Sequence, residues 1–193
     1  MGKQSASLSH AGLPPHKQVP PSRVILVGFM GAGKTSVGAE LARLLGWPFE
    51  DLDDRIQSCE GRTIEEIFRD SGEAEFRRCE HMALRDLLAE SESNCRVIAL
   101  GGGAFAQPGN ASLLRDRNIP SVFLDAPVQE LFRRCQKQEL NRPLRQNEAQ
   151  FRNLYDMRRP LYMTATHHVE TDGKLISETA AEVARAIGIS PSK

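Results

Sequence analysis

Gly28-Phe29-Met30-Gly31-Ala32-Gly33-Lys34-Thr35 follows directly on the apolar run Val24-Ile25-Leu26-Val27 and decides the fold of this 193-residue chain. The octapeptide satisfies G-x-x-x-x-G-K-[ST], the pattern of a loop whose backbone N–H groups converge on phosphate oxygens. Glycines let successive N–H groups point inward without Cβ clashes, and the helix that follows adds its N-terminal dipole. The stretch predicts a nucleotide-phosphate loop. The alternative, a glycine-rich turn with an incidental lysine, leaves the coincidence of strand, loop, Lys-Thr pair and helix unexplained.

The loop residues have distinct expected roles in holding ATP and its metal ion. Lys34 is placed to reach the β- and γ-phosphates, and the Thr35 hydroxyl is placed to ligate the Mg²⁺ that ATP carries. The full set of predicted ATP-binding residues in this stretch is Gly31, Ala32, Gly33, Lys34, Thr35 and Ser36.

Composition limits the other classes of partner. Lys+Arg and Asp+Glu both total 25, so no net field favours nucleic acid or an anionic membrane. No apolar run approaches the roughly 18 residues of a membrane span. The four cysteines (Cys59, Cys79, Cys95 and Cys135) match neither a redox pair nor a zinc site, which favours reduced thiols in a cytoplasmic protein. Residues 1–22 lack a secretory apolar region and are expected to form a disordered tail.

Short β-rich runs alternate with longer amphipathic segments, which predicts a parallel sheet flanked by helices in one domain over residues 23–193. The predicted strands are 23–27, 48–51, 96–100, 121–125 and 166–170. The predicted helices are 34–45, 63–71 opened by a capping box at Thr63, about 73–90, 110–117, 127–138 with Pro127 in its first turn, 148–163, and 177–187 capped by Ser177. Residues 52–95 hold more helix than a crossover requires and are interpreted as a substrate-binding insertion, and the polar segment 138–148 as a mobile lid.

Two carboxylates follow the second predicted strand in Phe49-Glu50-Asp51-Leu52-Asp53. In an extended segment Asp51 and Asp53 point the same way, toward the sheet edge where the phosphate loop lies. One acid would support Mg²⁺ while the other meets the hydroxyl that attacks the γ-phosphate. The alternative is that Asp53 or Asp54 only caps the helix that begins there.

Two further segments carry groups suited to a small anionic substrate. In the first, Gly72 to Glu80, Arg77 has carboxylate neighbours at i−4 and i+3 that would fix its guanidinium toward an anion; the alternative is an exposed ion pair. In the second, Val97 to Gly103, a buried strand runs into three glycines. Such a loop lets backbone approach a ligand closely, although glycine triplets also form ordinary turns.

These segments together resemble the shikimate kinase family, and the resemblance extends from Val24 to the last predicted helix. Six motifs agree in order and spacing: the phosphate loop from Gly28, F-x-D-x-D from Phe49, G-E-x-x-F-R-x-x-E from Gly72, A-L-G-G-G from Ala99, R-P-L at Arg142 and R-x-P-L-Y from Arg158. The resemblance implies a three-layer α/β/α fold of the P-loop nucleoside monophosphate kinase type, with a central parallel sheet of about five strands.

The resemblance also implies roles for individual residues. Lys34, Asp53 and Arg142 would be catalytic, with Asp53 at the substrate hydroxyl and Arg142 swinging over ATP. Arg77 and Arg158 would clamp the shikimate carboxylate beside Gly101, Gly102 and Gly103, while Thr35 and Asp51 would serve Mg²⁺. Two features depart from the family pattern: Arg145 adds a charge to the lid, and Arg159 competes with Arg158 for the clamp position.

The implied reaction converts ATP and shikimate to ADP and shikimate 3-phosphate, a step toward chorismate and the aromatic amino acids. The enzyme is expected to be a cytoplasmic monomer whose partners are small molecules, without nucleic acid or membrane. One rival is another small-acid kinase, such as a gluconate kinase. The other is a nucleotide-binding switch module, although the chain lacks the guanine-reading motif N-K-x-D.

Overall fold

The computed structural model describes residues 21–90, 95–137 and 147–189. The strands are β1 (Arg23–Val27), β2 (Phe49–Asp51), β3 (Arg96–Ala99), β4 (Ser121–Asp125) and β5 (His167–Glu170). The helices are α1 (Lys34–Leu45), α2 (Leu52–Glu60), α3 (Ile64–Ala89), α4 (Pro108–Asp116), α5 (Val128–Lys137), α6 (Glu148–Tyr162) and α7 (Ile176–Ala186), with a 3-10 turn at Ala104–Ala106.

The five strands form one parallel sheet in the order β2-β3-β1-β4-β5. Every residue of β1 and β4 is buried, as expected for strands covered on both faces, whereas β5 at one edge is mostly accessible. Because all strands run the same way, the phosphate loop, Asp51 and the glycine triplet leave the sheet at one carboxyl edge. The predicted three-layer α/β fold with five parallel strands is confirmed.

Helix α1 connects the phosphate loop to the core. Its buried face, which includes Val37 and Leu41, lies against the sheet, and the helix ends at Gly46, whose N–H donates to carbonyls of the last turn. A methyl group on Gly38 would lie 2.4 Å from the ring of Phe49, so only glycine permits this approach of α1 to β2. Fully burying a side chain such as Leu41 contributes roughly 1.5–3 kcal/mol, which holds the phosphate-binding end of the helix in place.

The structure corrects several predicted helix ends. The predicted helices 63–71 and 73–90 meet without a linker in α3, where Gly72 takes a φ of 79° that side-chain-bearing residues rarely adopt. Ser177 does not cap the last helix. That helix begins at Ile176, and Glu178 accepts a hydrogen bond from the Leu175 N–H instead. Pro127 precedes α5 rather than lying in its first turn, and its carbonyl accepts from the turn that follows.

Other predicted helix and strand ends agree with the structure to within about two residues. The capping box at Thr63 is confirmed, because Thr63 and Glu66 exchange side-chain to backbone hydrogen bonds. All four cysteines are free thiols. Within the three described ranges, no helix is both long and apolar enough to cross a membrane. The predicted tail lies almost wholly outside the described residues, and so does most of the predicted lid, including Arg142 and Arg145.

Candidate active site

The phosphate loop forms the turn between β1 and α1 and is packed tightly against α5. A methyl group on Gly31 would lie 2.6 Å from the carbonyl oxygen of Leu131, and Gly31 has a φ of 81°, so this position requires glycine. Lys34 Nζ donates to the carbonyl oxygens of Gly28 (2.9 Å) and Phe29 (3.1 Å). These bonds hold the ammonium group against the loop in which phosphates are predicted to bind.

The other predicted ATP-binding residues surround the start of α1. Ala32 is buried, and its N–H donates to the Phe29 carbonyl at 3.2 Å. Gly33 has a left-handed φ of 87° and leads into the helix. Thr35 and Ser36 are exposed in the first turn, where the helix dipole and the backbone N–H groups favour an anion.

An oxygen pair suited to Mg²⁺ lies beside the loop. The Thr35 hydroxyl donates to Asp51 Oδ2 at 2.8 Å, which brings together the two residues predicted to serve the metal. Magnesium prefers oxygen ligands and is usually held by one or two protein oxygens, with phosphates and water completing the octahedron. The donor set therefore fits a Mg²⁺ that arrives with a nucleotide.

Asp53 is positioned differently from the sequence prediction. Strand β2 ends at Asp51, and Asp53 lies in the first turn of α2 rather than in an extended segment. The Asp51 carboxylate caps this helix by accepting from the Asp53 N–H at 3.1 Å, so the alternative in which Asp53 or Asp54 is the cap is also wrong. The cap nevertheless keeps both carboxylates at the carboxyl edge of the sheet.

Arg77 lies on α3 between two carboxylates, as its spacing predicts. Its Nη1 is 2.9 Å from Glu80 Oε2, and its Nη2 is 3.1 Å from Glu73 Oε1. The two partners differ in burial, since the Glu80 side chain is 1% exposed and that of Glu73 is 67% exposed. Burial raises the pKa of Glu80 to about 6, against the opposing influence of Arg77. Glu80 is thus a buried carboxylate that fixes the guanidinium of Arg77.

The glycine triplet after β3 joins these groups into one site. A methyl group on Gly101 would lie 2.6 Å from Asp53 Oδ1, and one on Gly103 would lie 2.7 Å from both Nη1 and Nη2 of Arg77. At Gly102 a methyl group would meet ordinary contacts, the nearest being a phosphate-loop nitrogen at 3.7 Å. The loop therefore touches Asp53 and Arg77 and comes close to the phosphate loop, which an ordinary flexible turn would not require.

The structure distinguishes the two neighbouring arginines of α6. Arg158 Nη1 donates to the Gly102 carbonyl at 3.3 Å, so this side chain turns toward the glycine triplet. Arg159 Nη2 pairs with Asp125 Oδ2 at 2.8 Å, at the end of β4. Tyr155 also donates to that aspartate, at 3.2 Å. Arg158 is therefore the one of the two that joins Asp53 and Arg77 around the triplet.

Two residues of this region were not singled out by the sequence prediction. Tyr162 is fully buried, and its hydroxyl donates to the Gly102 carbonyl. Its only sequence signal is its place at the end of R-x-P-L-Y. Asp125 is buried and holds Arg159, and nothing in the sequence marks it except its position at the carboxyl end of a buried strand.

The fold and the site define the class of protein. A glycine-rich loop with Lys34 lies between β1 and α1 and has the sequence pattern typical of phosphate binding, while the Asp53 carboxylate and the Arg77 and Arg158 guanidinium groups surround the adjacent glycine triplet. The chain is a P-loop phosphotransferase of the α/β class.

Comparison with known proteins identifies the family. The model of the shikimate kinase family matches residues 30–188. A shikimate kinase of Thermus thermophilus is 40% identical over 167 residues, covering 85% of this chain and 89% of its own. One of Acinetobacter baylyi is 41% identical over 168 residues, with 85% and 91% covered. The solved structure of shikimate kinase from Acinetobacter baumannii in complex with shikimate has a TM-score of 0.78 and 37% identity, covering 89% of this chain and 94% of that one.

The chain belongs to the shikimate kinase family, and its activity is the ATP-dependent phosphorylation of shikimate. The family assignment excludes the nucleotide-binding switch module, and it favours shikimate over gluconate as the substrate.

Proposed function

We propose that the enzyme transfers the γ-phosphoryl group of ATP to the 3-hydroxyl of shikimate, with the nucleotide on the phosphate loop and the acid beside the glycine triplet. The observation that carries the proposal is that Gly101 and Gly103 lie directly against the side-chain ends of Asp53 and Arg77, so that an added methyl group would fall 2.6 Å and 2.7 Å from them. A catalytic carboxylate from α2 and a carboxylate-binding guanidinium from α3 thus lie against one short loop, which suits a substrate that carries both a hydroxyl and an acid group.

The residues at the start of α1 bind ATP and its metal ion. Backbone N–H groups from Gly31 to Ser36 and the helix dipole hold the β- and γ-phosphates, and Lys34 contributes a point charge. Thr35 and Asp51 hold Mg²⁺, which when bound neutralises charge on the phosphates. By family resemblance Asp51 is expected to act through water, and its carboxylate also accepts hydrogen bonds from Thr35 and from the Asp53 backbone.

Shikimate, the phosphoryl acceptor, is bound and activated by Asp53, Arg77 and Arg158. Asp53 orients the attacking hydroxyl and accepts its proton as the bond to phosphorus forms. Arg77 and Arg158 bind the carboxylate of the acid, and Glu80 limits the motion of Arg77. Phosphoryl transfer passes through a loose transition state, so alignment and charge neutralisation supply most of the catalysis.

A further catalytic residue, Arg142, is proposed from the family resemblance and lies outside the described residues. By family resemblance it lies in the lid, 138–148, and approaches the γ-phosphate when substrates are bound. Helices α2 and α3 form the substrate-binding insertion within 52–95, since they carry Asp53 and Arg77. Arg145 adds a second positive charge to the lid.

The cellular setting is proposed on broader grounds. The enzyme acts in the cytoplasm as a monomer, on the route to chorismate and the aromatic amino acids, and it needs neither nucleic acid nor membrane. The free thiols of all four cysteines and the equal numbers of acidic and basic residues support this setting.

The role of Asp53 is tested by Asp53→Asn, which keeps size but removes the base. A positioned general base contributes about 10²–10⁴-fold, so kcat should fall by that factor while the KM for ATP changes little. Asp54→Asn is the matched control, because Asp54 is the next residue, is exposed and should tolerate the change. A fall in kcat of less than about threefold for Asp53→Asn would remove Asp53 from the chemistry.

A further inference from the structure

One backbone carbonyl in the site receives two donors from a single helix. Gly102 O accepts from the Tyr162 hydroxyl and from Arg158 Nη1, the latter at 3.3 Å. The two donors are four residues apart on α6 and so lie on the same face of that helix. A carbonyl oxygen has two lone pairs, so these two bonds satisfy the acceptor capacity of the central residue of the glycine triplet.

Tyr162 contacts the glycine triplet through its hydroxyl group, while its ring is buried in the protein. The side chain is fully buried, and its ring packs against Phe123 of β4 with 5.3 Å between ring centroids. Burial raises the pKa of Tyr162 to about 12, so the phenol stays protonated and remains a donor throughout the neutral range. A buried ring at the end of α6, packed against β4, holds a donor in one place more rigidly than a long side chain such as that of Arg158 does.

The position of the triplet matters because two charged side chains of the site lie directly against it. Gly101 lies against Asp53 and Gly103 lies against Arg77, each so close that an added methyl group would fall within 3 Å of the side chain. A shift of the loop by about 1 Å would therefore displace the base, the acid clamp or both, and misplacements of this size can cost on the order of 100-fold in rate.

We propose that Tyr162 is a positioning residue for phosphoryl transfer to shikimate. Its hydroxyl anchors the Gly102 carbonyl and thereby sets the spacing between Asp53 and Arg77, without touching the substrate. The inference rests on the roles proposed above for those two residues. It assigns the buried hydroxyl a task in substrate alignment beyond its contribution to packing.

The test is Tyr162→Phe, which removes only the oxygen and keeps the ring against Phe123. Because Arg158 still donates to Gly102, the loss should resemble that of one net hydrogen bond. We expect kcat/KM for shikimate to fall about 2- to 12-fold in total, through a higher KM and a lower kcat, with the ATP KM within about twofold of native. A chain carrying 4-aminophenylalanine at position 162 retains a donor and should recover most of the loss.

Tyr155→Phe is the matched control, since Tyr155 is the other tyrosine of the chain. It too lies buried on α6, and its hydroxyl donates to Asp125 instead. Both variants should lose thermal stability by similar amounts, but only Tyr162→Phe should change the shikimate parameters. Native shikimate KM and kcat in Tyr162→Phe would overturn the proposal and leave a structural role only. If Tyr162→Phe does not fold, the 4-aminophenylalanine chain decides, because unchanged parameters support the inference and a weakened shikimate site contradicts it.

The outcome can be separated from a failure of the underlying assignment. Arg77→Lys tests the clamp independently of Tyr162. If Arg77→Lys leaves the shikimate KM unchanged, the clamp assignment fails and the inference fails with it. If Arg77→Lys raises the KM and Tyr162→Phe does not, only the role of Tyr162 is refuted.

Discussion

Gly103→Ala should weaken shikimate binding through one steric contact. Gly103 has a φ of −105° and a ψ of −16°, a conformation that alanine adopts readily, so the backbone tolerates the change. The new methyl group, however, would lie 2.7 Å from Nη1 and Nη2 of Arg77 and 3.0 Å from its Cζ. The guanidinium would have to withdraw by about 0.7 Å to reach ordinary van der Waals contact.

Arg77 has little freedom to withdraw while keeping its partners. It bonds the nearly buried Glu80 on one side and Glu73 on the other, so a shift lengthens those bonds or turns the planar fork away from the substrate acid. A charge-assisted hydrogen bond contributes about 1.5–3 kcal/mol, which corresponds to a rise in shikimate KM of about 10- to 150-fold. The KM for ATP should change less than about twofold.

Steady-state kinetics at saturating ATP measure this effect, and thermal unfolding checks that the variant is folded. The matched control is Gly109→Ala on α4, where the methyl group would meet its nearest neighbour, His81, at an ordinary 3.6 Å. It should keep native kinetics and, as a Gly-to-Ala change in a helix, gain about 0.5–1 kcal/mol. If Gly103→Ala binds shikimate with a KM within twofold of native, the reasoning from loop contact to clamp geometry is refuted.

Two further predictions concern the charged groups around the triplet. Arg158→Lys should raise the shikimate KM about tenfold or more, whereas Arg159→Lys should weaken mainly thermal stability through its pair with Asp125; the reverse pattern would exchange their roles. Because the pKa of Glu80 is raised to about 6 by burial, ionising it opposes folding, so the native chain should gain about 1 kcal/mol relative to Glu80→Gln as the pH falls from 8 to 5. Over the same interval the shikimate KM should rise in the native enzyme and stay level in Glu80→Gln. If the native enzyme and Glu80→Gln instead show the same pH dependence, both of the free energy of unfolding measured in urea and of the shikimate KM, this explanation is wrong.

The fold follows closely from local sequence signals. The strand candidates agree with the sheet because apolar runs bounded by turn residues mark buried strands, and the Lys-Thr pair after a glycine loop fixes where α1 begins. The errors occur where local signals were ambiguous. Gly72 predicts a break between two helices, but its left-handed conformation lets them follow each other directly. Ser177 predicts the N-cap of the last helix, whereas the hydrogen bond at the start of that helix runs from the Leu175 N–H to the Glu178 carboxylate.

The site was predictable as a set of residues but not as a geometry. The motifs indicate Asp53, Arg77 and the glycine triplet, yet only the folded chain brings Gly103 to Arg77 and Gly101 to Asp53. The choice between Arg158 and Arg159 depends on Asp125, which lies 34 residues away from Arg159 in sequence. Contacts of this kind arise from strand order and helix packing, so no spacing along the chain encodes them.

The central claim is that shikimate is the acceptor of the phosphoryl group, and a coupled ADP-release assay with competing acceptors tests it most directly. Shikimate, quinate, gluconate and a nucleoside monophosphate would be compared at equal concentration with MgATP, together with MgATP alone. The account predicts that ADP release rises strongly with shikimate only, because the chain belongs to the shikimate kinase family. Equal or greater turnover with quinate, gluconate or the nucleoside monophosphate would contradict it.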